Sequence, residues 1–487
     1  MADSRHLVDK LWAYCDVLRD DGVGVIEYTE QLTYLLFLKM AYERATRQLN
    51  RQRIVPEQYD WPRLTDASGA DLETLYTWML DNLAKQPGVV GTIFRKAQNR
   101  IQDPAKLKRL ISDLIDKEHW SSTGTDLTGD AYEELLAKGA SDQKSGAGQY
   151  FTPRALVHAM VDCIQPTIDD TIVDPACGTG GFLLVGHEFV AQGASSMTPV
   201  ERDHLRDTLV TGYELVDGTA RLAAMNMLLH GIGTADGPSL INVQDSLVAD
   251  PGKRWSVVLT NPPFGTKSAL TTVGADGKVV REDSSIERPD FTVTTSNKQL
   301  NFVQHIATIL NTNGRAAVVL PDNVLFEGGA GETIRRRLLT DFDLHTMLRL
   351  PTGIFYAQGV KANVLFFDKK PARPGSPWTD RLWVYDLRTN MHFTLKQNPL
   401  KRSDLDDFVQ LFRPGRPRVE RRETERWHSF AYSELVARDK ANLDITWLKD
   451  DSQGDVDNLP APDVIARQIV ADLEAALAEF KAVAGKL

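Results

Sequence analysis

The chain has 487 residues, of which 42% are hydrophobic and 25% are charged, and its formal net charge is −10 at pH 7. These values are typical of globular proteins with two or three domains and argue against disorder. No apolar run reaches the ~18 residues of a membrane-spanning helix. The N-terminal MADSRHLVDK lacks the apolar stretch of a signal peptide, and three scattered cysteines cannot form a disulfide framework. We therefore expect a cytoplasmic protein without membrane contact. Its negative charge would repel nucleic acid unless basic residues gather on one face or a partner supplies them.

Residues 1–140 are predicted to form an all-helical N-terminal domain. Apolar residues recur there at helical spacing, and clusters of Gly and Asp separate the helical segments. The segments that carry this pattern are LVDKLWAYCDVL, YTEQLTYLLFLKMAYERA, LETLYTWMLDNLA and LKRLISDLI.

Residues 141–400 are predicted to form a doubly wound α/β domain with a mostly parallel, seven-stranded, Rossmann-like sheet. Short runs of Val, Ile and Leu alternate there with helical segments, which is typical of βαβ units. The predicted strands are DTIVDPA, LVTGYEL, LINVQDSL, WSVVLTNPP, RAAVVLPD, LHTMLRLP and NVLFFDK. The predicted helices are 155–164, 181–192, 218–230, 299–312 and 330–340.

Two further segments depart from this alternation. Residues 265–297 are rich in Gly, Ser, Thr and charge, which predicts a mobile functional loop with a hairpin around Gly274 to Gly277. Residues 401–487 form a C-terminal region that contains FRPGRPRVERRETER and ends in an amphipathic pattern after Pro460 and Pro462. We expect a terminal helix there that contacts another subunit.

A glycine-rich turn, DPACGTGG, follows the first predicted strand and precedes a helix. Its glycines remove Cβ atoms where backbone approaches a ligand, and the helix N-terminus contributes amide donors. The turn lacks the G-x-G-x-x-G phosphate fingerprint, so a cofactor with a ribose and an amino-acid ammonium suits it better than a dinucleotide. The candidate cofactor residues are Asp174, Ala176, Gly178, Thr179, Gly180 and Gly181.

Acidic residues close the next two predicted strands. Glu214 ends LVTGYEL, where a carboxylate can accept hydrogen bonds from ribose hydroxyls, and Asp245 follows LINV, where it can bind an adenine amine. Alone, either residue is more often a solvated loop acid. Their positions at successive strand ends favour a shared cofactor site.

The tetrapeptide Asn261, Pro262, Pro263 and Phe264 follows the strand WSVVLT. The amine of an aromatic base delocalises its lone pair into the ring and is a poor nucleophile. The Asn261 side-chain oxygen and the Pro262 carbonyl can accept its hydrogens and direct the lone pair toward a methyl-sulfonium, as in S-adenosyl-L-methionine. The consecutive prolines fix the carbonyl, and Phe264 can stack on a base flipped out of the duplex. The histidines have no metal-ligand spacing, so we expect no metal.

These motifs resemble those of the modification subunits of type I restriction-modification systems. Such subunits are N6-adenine DNA methyltransferases. The resemblance covers nearly the whole chain and includes GAGQYFTPR, QLNFVQH, LPTGIF and GVKANVLFF. It implies S-adenosyl-L-methionine as cofactor, double-stranded DNA as substrate and adenine N6 as target. It also implies a specificity subunit bound by two modification subunits, together with a motor-nuclease subunit, in a system that protects host DNA from the cognate restriction activity. Six residues of GAGQYFTPR would line the cofactor pocket: Gln149, Tyr150, Phe151, Thr152, Pro153 and Arg154.

Alternatives remain open from the residues alone. The same tetrapeptide chemistry serves methylation of a glutamine side chain or of guanine N2 in ribosomal RNA. A scaffold that has lost catalysis is a third hypothesis, which the intact tetrapeptide disfavours. Thr152 and Pro153 also fit a helix N-cap and first helical residue. Arg335, Arg336, Arg337 and the basic residues of 413–426 are candidate DNA contacts.

Overall fold

The computed structural model describes residues 25–47, 53–118, 120, 152–264, 269–273, 279–283, 285–355, 360–395 and 397–449. The predicted contacts at Gln149, Tyr150 and Phe151 and the predicted terminal helix lie outside these residues. None of the described helices is long and apolar enough to cross a membrane.

The described chain begins with helices. They are α1 (Val25–Arg47), α2 (Trp61–Asp66), α3 (Gly69–Leu83), α4 (Gly88–Phe94) and α5 (Pro104–Arg109), which runs into a π-helical turn at Leu110–Ile115. Their inward faces form an apolar core that includes Tyr76, Leu83, Phe94 and Ile111, each fully buried. This agrees with the helical spacing of apolar residues in the sequence.

In the described part of the chain, eleven strands follow, interleaved with helices. The strands are β1 (Ile172–Asp174), β2 (Val210–Glu214), β3 (Ile241–Val243), β4 (Trp255–Thr260), β5 (Ala269–Val273), β6 (Val279–Asp283), β7 (Leu310–Pro321), β8 (Phe342–Arg349), β9 (Ala362–Lys369), β10 (Arg381–Asp386) and β11 (Trp427–Ala431). The helices are α6 (Arg154–Ile164), α7 (Gly181–Ala191), α8 (Pro199–Asp207), α9 (Asp217–Leu229), α10 (Lys298–Ile309), α11 (Asn323–Phe326), α12 (Ala330–Asp341), α13 (Asp406–Phe412) and α14 (Tyr432–Ala437).

Nine of these strands form one mixed sheet in the order β11-β10-β8-β9-β7-β4-β1-β2-β3. The five strands from β3 to β7 in this order are parallel, whereas β9 is antiparallel to both its neighbours and β11 is antiparallel to β10. The doubly wound, mostly parallel fold is confirmed, but the predicted count of seven strands is wrong. The sheet also continues past residue 400, where we expect its domain to end.

Two local predictions can be compared with the structure. β5 and β6 pair antiparallel, as the hairpin predicted for this segment requires, and residues 274–278 between them lie outside the described residues. Helix α10 ends at Ile309 rather than at 312, because β7 begins at Leu310 and its Asn313 adopts a φ of 67° that a helix does not allow.

The helical region packs against helix α9, which follows β2. Arg44 of α1 donates to the backbone carbonyl of Leu229 at 2.7 Å, so it satisfies the C-terminal end of α9. Arg221 of α9 is buried and forms an ion pair with Glu30 of α1. A second compact unit contains, among the described residues, Thr389–Met391 and residues 447–449, in which Asn390 donates to the Lys449 carbonyl at 3.0 Å.

Candidate active site

The predicted site residues meet where the parallel strands β1 to β4 end, which we call the carboxyl end of the sheet. β1 lies between β2 and β4, so the chain leaves β1 on one side and returns on the other. Ligands of open α/β sheets bind at such a switch point. Asp174 and Glu214 end β1 and β2, and Asn261 follows the last residue of β4.

The glycine-rich turn between β1 and α7 depends on glycine at two positions. Gly178 and Gly180 have φ values of 55° and 88°, in the left-handed region that favours glycine. A Cβ on Gly180 would also lie 2.8 Å from Cε of Met227 in α9. By contrast, apart from the adjoining residues and the backbone of α7, no atom of the described residues lies within 4 Å of a Cβ built on Gly178 or Gly181. The turn therefore presents open space beside two of its glycines.

The Asp174 carboxylate braces the turn from inside. It is 1% exposed, and its Oδ1 accepts hydrogen bonds from the Ala176 amide at 3.0 Å and the Thr260 hydroxyl at 2.6 Å. Burial raises the pKa of Asp174 to about 7, although both hydrogen bonds act in the opposite direction. The base of the site thus contains a buried carboxyl group whose pKa lies close to neutral pH.

Glu214 faces the same turn. Its Oε2 accepts from the Gly178 amide at 3.0 Å and its Oε1 from the Val216 amide at 2.8 Å. Burial raises the pKa of this carboxyl group above its usual value. The structure therefore brings Glu214 next to the glycine-rich turn, although the two lie far apart in sequence.

Asp245 lies in the turn after β3 and is exposed. Its Oδ1 accepts from the Leu247 amide at 2.9 Å. The neighbouring Ser246 hydroxyl donates to the Pro175 carbonyl at 2.6 Å, which fastens this turn to the glycine-rich turn. Glu214 and Asp245 thus lie at the ends of adjacent parallel strands, Glu214 as the last residue of β2 and Asp245 two residues after β3.

Exposed aliphatic side chains accompany these acids, and the sequence reasoning did not single them out. Leu215 and Val216 follow Glu214 with exposures of 63% and 46%, and Val243 and Val248 flank Asp245. A local signal exists, since each aliphatic residue lies within three positions of a strand-end acid. Apolar surface at this position can cover the faces of a flat ring.

The tetrapeptide after β4 is hydrogen-bonded to the GAGQYFTPR segment. Nδ2 of Asn261 donates to the Thr152 hydroxyl at 2.9 Å. The alternative in which Thr152 caps a helix that begins at Pro153 is wrong: α6 begins at Arg154, and Pro153 occupies the N-cap position without a side-chain cap. Thr152 instead orients the Asn261 amide, and Arg154 is half-buried in the first turn of α6.

Phe264 packs against an aromatic residue from a distant segment. Its ring lies 5.8 Å from that of Phe355, at an angle of 77°. Phe355 is 2% exposed and belongs to LPTGIF, which follows β8. Pro262 is buried and Pro263 is exposed. Sequence reasoning did not place Phe355 in the site, because only the tertiary fold brings its ring to Phe264.

The candidate DNA-contact arginines lie elsewhere. Arg335 is 1% exposed and donates to the backbone carbonyls of Val324, Glu327, Lys440 and Ala441, so the prediction that it contacts DNA is wrong. Arg418, within 413–426, forms 2.8 and 2.7 Å ion pairs with Asp343 and Asp368 at the opposite end of the sheet. The two carboxylates neutralise the charge of its guanidinium there.

The other two arginines of α12 have partners of their own. Arg336 pairs with Glu332 at 2.8 Å, and Arg337 donates to the Thr292 hydroxyl. Among the described residues, no three His, Cys, Asp or Glu side chains are grouped as metal ligands.

Comparisons with known proteins identify the family. The model of the N-6 DNA methylase family matches residues 123–453, and that of the HsdM N-terminal domain matches residues 7–114. The methylase subunit of the type I restriction enzyme EcoKI from Escherichia coli K12 is 38% identical over 525 residues, which cover 100% of this chain and 96% of that protein.

Solved structures agree with this assignment. The crystal structure of the EcoKI M protein aligns with a TM-score of 0.55 at 35% identity and covers 97% of this chain and 94% of that one. A type I methyltransferase subunit from Streptococcus thermophilus has the same fold, with a TM-score of 0.69 at 20% identity over 90% of this chain and 98% of that one. The chain therefore belongs to the N-6 DNA methylase family, as an adenine-specific DNA methyltransferase and the methylase subunit of a type I restriction-modification system.

Proposed function

We propose that the carboxyl end of the sheet binds S-adenosyl-L-methionine between the glycine-rich turn, Glu214 and the turn after β3. The open space beside Gly178 and Gly181 supports this proposal, since a ligand can approach the backbone there. Glu214 would accept hydrogen bonds from the ribose hydroxyls. Asp245 would bind the adenine amine, and Leu215 and Val248 would cover the adenine faces. When bound, this cofactor supplies an electrophilic methyl group on a sulfonium.

Asn261 and Pro262 activate the target amine of adenine, N6. The observation that carries this step is the 2.9 Å bond from Asn261 Nδ2 to Thr152. With the amide nitrogen committed to Thr152, the oxygen of the same amide is the end that accepts an amine hydrogen. The Pro262 carbonyl accepts the other hydrogen, so the lone pair of N6 is localised on the nitrogen instead of being delocalised into the ring.

The target base leaves the duplex and stacks in the site. An exocyclic amine is inaccessible to these acceptors inside paired DNA, so the adenine flips out. Phe264 stacks on the flipped base, and Phe355 holds the Phe264 ring from its edge, since the two rings are nearly perpendicular. Because every base has a flat face, stacking does not distinguish one base from another. Selection of the amine therefore comes from the Asn261 side-chain oxygen and the Pro262 carbonyl.

Sequence recognition is supplied by a separate specificity subunit that binds two copies of this chain. A motor-nuclease subunit completes the restriction enzyme, and methylation protects host DNA from it. The net charge of −10 supports this division of labour, because a chain with this charge gains little nonspecific attraction to DNA on its own. A solved structure at 25% identity concerns complex assembly of a type I restriction-modification system.

The test is transfer of a labelled methyl group. The full chain, with and without its specificity subunit, is incubated with tritiated S-adenosylmethionine and with DNA, RNA or protein. We expect label in DNA only, at adenine N6, and only with the specificity subunit. Label confined to RNA or protein would overturn the DNA assignment.

The catalytic role of Asn261 is tested in the same assay. Asn261→Ala removes an acceptor aimed at the reacting amine, so we expect a rate loss on the order of 10²–10³. Cofactor affinity and assembly should remain, as measured by calorimetry and by sedimentation. Asn242→Ala, in β3, is a matched control, and unchanged methylation by Asn261→Ala would refute the role.

A further inference from the structure

Arg288 is a buried arginine in the segment that returns from the β5–β6 hairpin to helix α10. Its side chain is 3% exposed, and its guanidinium lies 4.2 Å from the centre of the Phe291 ring. Nε and Nη2 donate to the carboxylate of Asp290 at 3.0 and 2.7 Å. The charge is therefore paired within its own segment, and one edge of the guanidinium remains for other partners.

That remaining edge faces the turn after β3. Nη1 of Arg288 contacts the backbone carbonyls of Ser246 and Leu247 at 3.3 and 3.4 Å. It also contacts Nδ1 of His305 in α10 at 3.1 Å. Burial and the neighbouring guanidinium lower the pKa of His305 to about 3, so its ring is neutral and Nδ1 accepts. One side chain thus joins three separate segments.

The segment that carries Arg288 is fixed to α10 by further buried polar side chains. Oε1 of Gln304 accepts from the amides of Thr292 and Val293 at 2.8 and 3.0 Å. Asn301 donates to the Thr295 carbonyl at 2.8 Å. These residues belong to QLNFVQH, so this helical motif serves as an anchor for the chain after the tetrapeptide.

The turn that Arg288 contacts is also bonded to the glycine-rich turn. The Ser246 hydroxyl donates to the Pro175 carbonyl, three residues before Gly178. A continuous series of hydrogen bonds therefore runs from α10 through Arg288 and Ser246 to the turn proposed to bind the cofactor.

We propose that Arg288 is a positioning residue that fixes the Asp245–Leu247 turn to the segment after the catalytic tetrapeptide. The inference rests on the proposed function, in which this turn binds the adenine of the cofactor. The planar guanidinium donates two parallel hydrogen bonds to the Asp290 carboxylate and turns its other nitrogen toward two carbonyls, a fixed geometry that the compact ammonium of lysine does not reproduce. Without it, the turn loses its buried donor and its position, and cofactor affinity falls.

The experiment uses the full chain with Arg288→Met, Arg288→Lys and the matched control Arg254→Met. Arg254 forms a partly exposed ion pair with Asp250, close to the same turn, and donates to the Asp250 carboxylate and the Lys253 carbonyl rather than to the carbonyls that Arg288 serves. Binding of S-adenosylmethionine is measured by calorimetry, and KM and kcat are measured with the specificity subunit. Hydrogen exchange at the amides of residues 244–248 is measured without cofactor.

Arg288→Met should raise the cofactor Kd and KM about tenfold, as expected for a lost charged hydrogen-bond donor, with a smaller change in kcat. Arg288→Lys should fall between wild type and Arg288→Met, and Arg254→Met should match wild type. Exchange at residues 244–248 should be faster in Arg288→Met.

Two results would overturn the inference. One is wild-type exchange at residues 244–248 in Arg288→Met. The other is an unchanged cofactor Kd in both Arg288 variants. If Arg288→Met does not fold, cofactor Kd and hydrogen exchange at residues 244–248 are compared between Arg288→Lys and wild type instead. A wild-type chain that does not bind S-adenosylmethionine would refute the proposed function instead, and the exchange data would still decide the role of Arg288.

Discussion

The hydroxyl of Thr260 donates a 2.6 Å hydrogen bond to Oδ1 of Asp174. This bond joins the last residue of β4 to the last residue of β1, and both residues are buried. Thr260 directly precedes Asn261, and Asp174 begins the glycine-rich turn. The end of β4, which leads into the tetrapeptide, is therefore hydrogen-bonded through side chains to the end of β1, which leads into the glycine-rich turn.

Thr260→Val keeps the side-chain shape but removes this donor. The free energy of unfolding should fall by about 1–3 kcal/mol, because a buried carboxyl group loses a hydrogen-bond partner. Urea denaturation at pH 7 measures the loss. Thr211→Val, in β2, is the matched control, because its hydroxyl makes no hydrogen bond within the described part of the chain. Equal losses in the two variants would contradict the role of the Thr260–Asp174 bond.

The pKa of Asp174 predicts a pH dependence with a definite sign. The folded-state pKa of about 7 exceeds the unfolded value, so the stabilising contribution of the protonated group is complete below pH ~4 and is lost as the pH rises through 7. A cationic cofactor favours the ionised carboxylate. Its affinity should therefore rise from pH 6 to pH 8, with proton release detectable by calorimetry in buffers of different ionisation enthalpy. Asp174→Asn should reduce the proton release, and equal release in both proteins would assign the proton to another group.

The sheet was predictable where the strands carry apolar runs. Alternation of such runs with helices predicts β1 to β4 and β7 to β9, including β3 at one edge of the sheet and β9, which is antiparallel to both its neighbours. β11 was missed because it is a short strand at the margin of the sheet, whose residues after Trp427 are only partly buried. β10 was missed because the segment before it is rich in Pro and Gly, which is typical of a loop.

The site was predictable in its strand-end residues and not in their partners. Asp174, Glu214 and Asn261 each follow an apolar strand, so local sequence places them at one end of a parallel sheet. The packing of Phe355 on Phe264, by contrast, depends on two segments that only tertiary structure brings together. Arg335 shows the opposite error, because a run of three arginines resembles an exposed basic surface although one of them points into the core.

Gly181→Ala separates the needs of the fold from those of the ligand. Gly181 begins α7 and lacks a positive φ. Apart from the adjoining residues and the backbone of α7, no atom in the described part of the chain lies within 4 Å of an added Cβ. The unfolding free energy of Gly181→Ala should change by less than about 0.5 kcal/mol, since alanine suits a helix at least as well as glycine. Cofactor affinity should nevertheless fall, because the methyl group would enter the proposed pocket. Gly193→Ala, which meets only ordinary contacts, is the control, and wild-type affinity in Gly181→Ala would move the pocket away from this residue.

Phe264 and Phe355 should affect the capture of the flipped base. Phe264→Ala removes the stacking surface, which is worth about 1–3 kcal/mol per base, so the DNA Kd of the assembled enzyme should rise roughly 5- to 150-fold. Phe355→Leu keeps a buried apolar side chain but removes the edge contact, so its effect should be smaller and in the same direction. Fluorescence of 2-aminopurine at the target position reports flipping. Phe264→Tyr should retain it, and full flipping in Phe264→Ala would exclude the stacking role.

Arg335→Met should destabilise the protein far more than Arg336→Met, although the residues are neighbours. Arg335 is buried and donates to four backbone carbonyls, so it joins α12 to the chain at α11 and around Lys440. Its loss leaves several buried carbonyls without a hydrogen-bond donor. We expect a loss of about 3–5 kcal/mol in unfolding free energy for Arg335→Met. Arg336 has a 44% exposed side chain in an i,i+4 pair, so Arg336→Met should cost at most about 0.5 kcal/mol. Urea denaturation measures both. Comparable losses in the two variants would contradict the structural role of Arg335. A reduced salt dependence of DNA binding in Arg335→Met, after correction for unfolded protein, would restore Arg335 as a DNA contact.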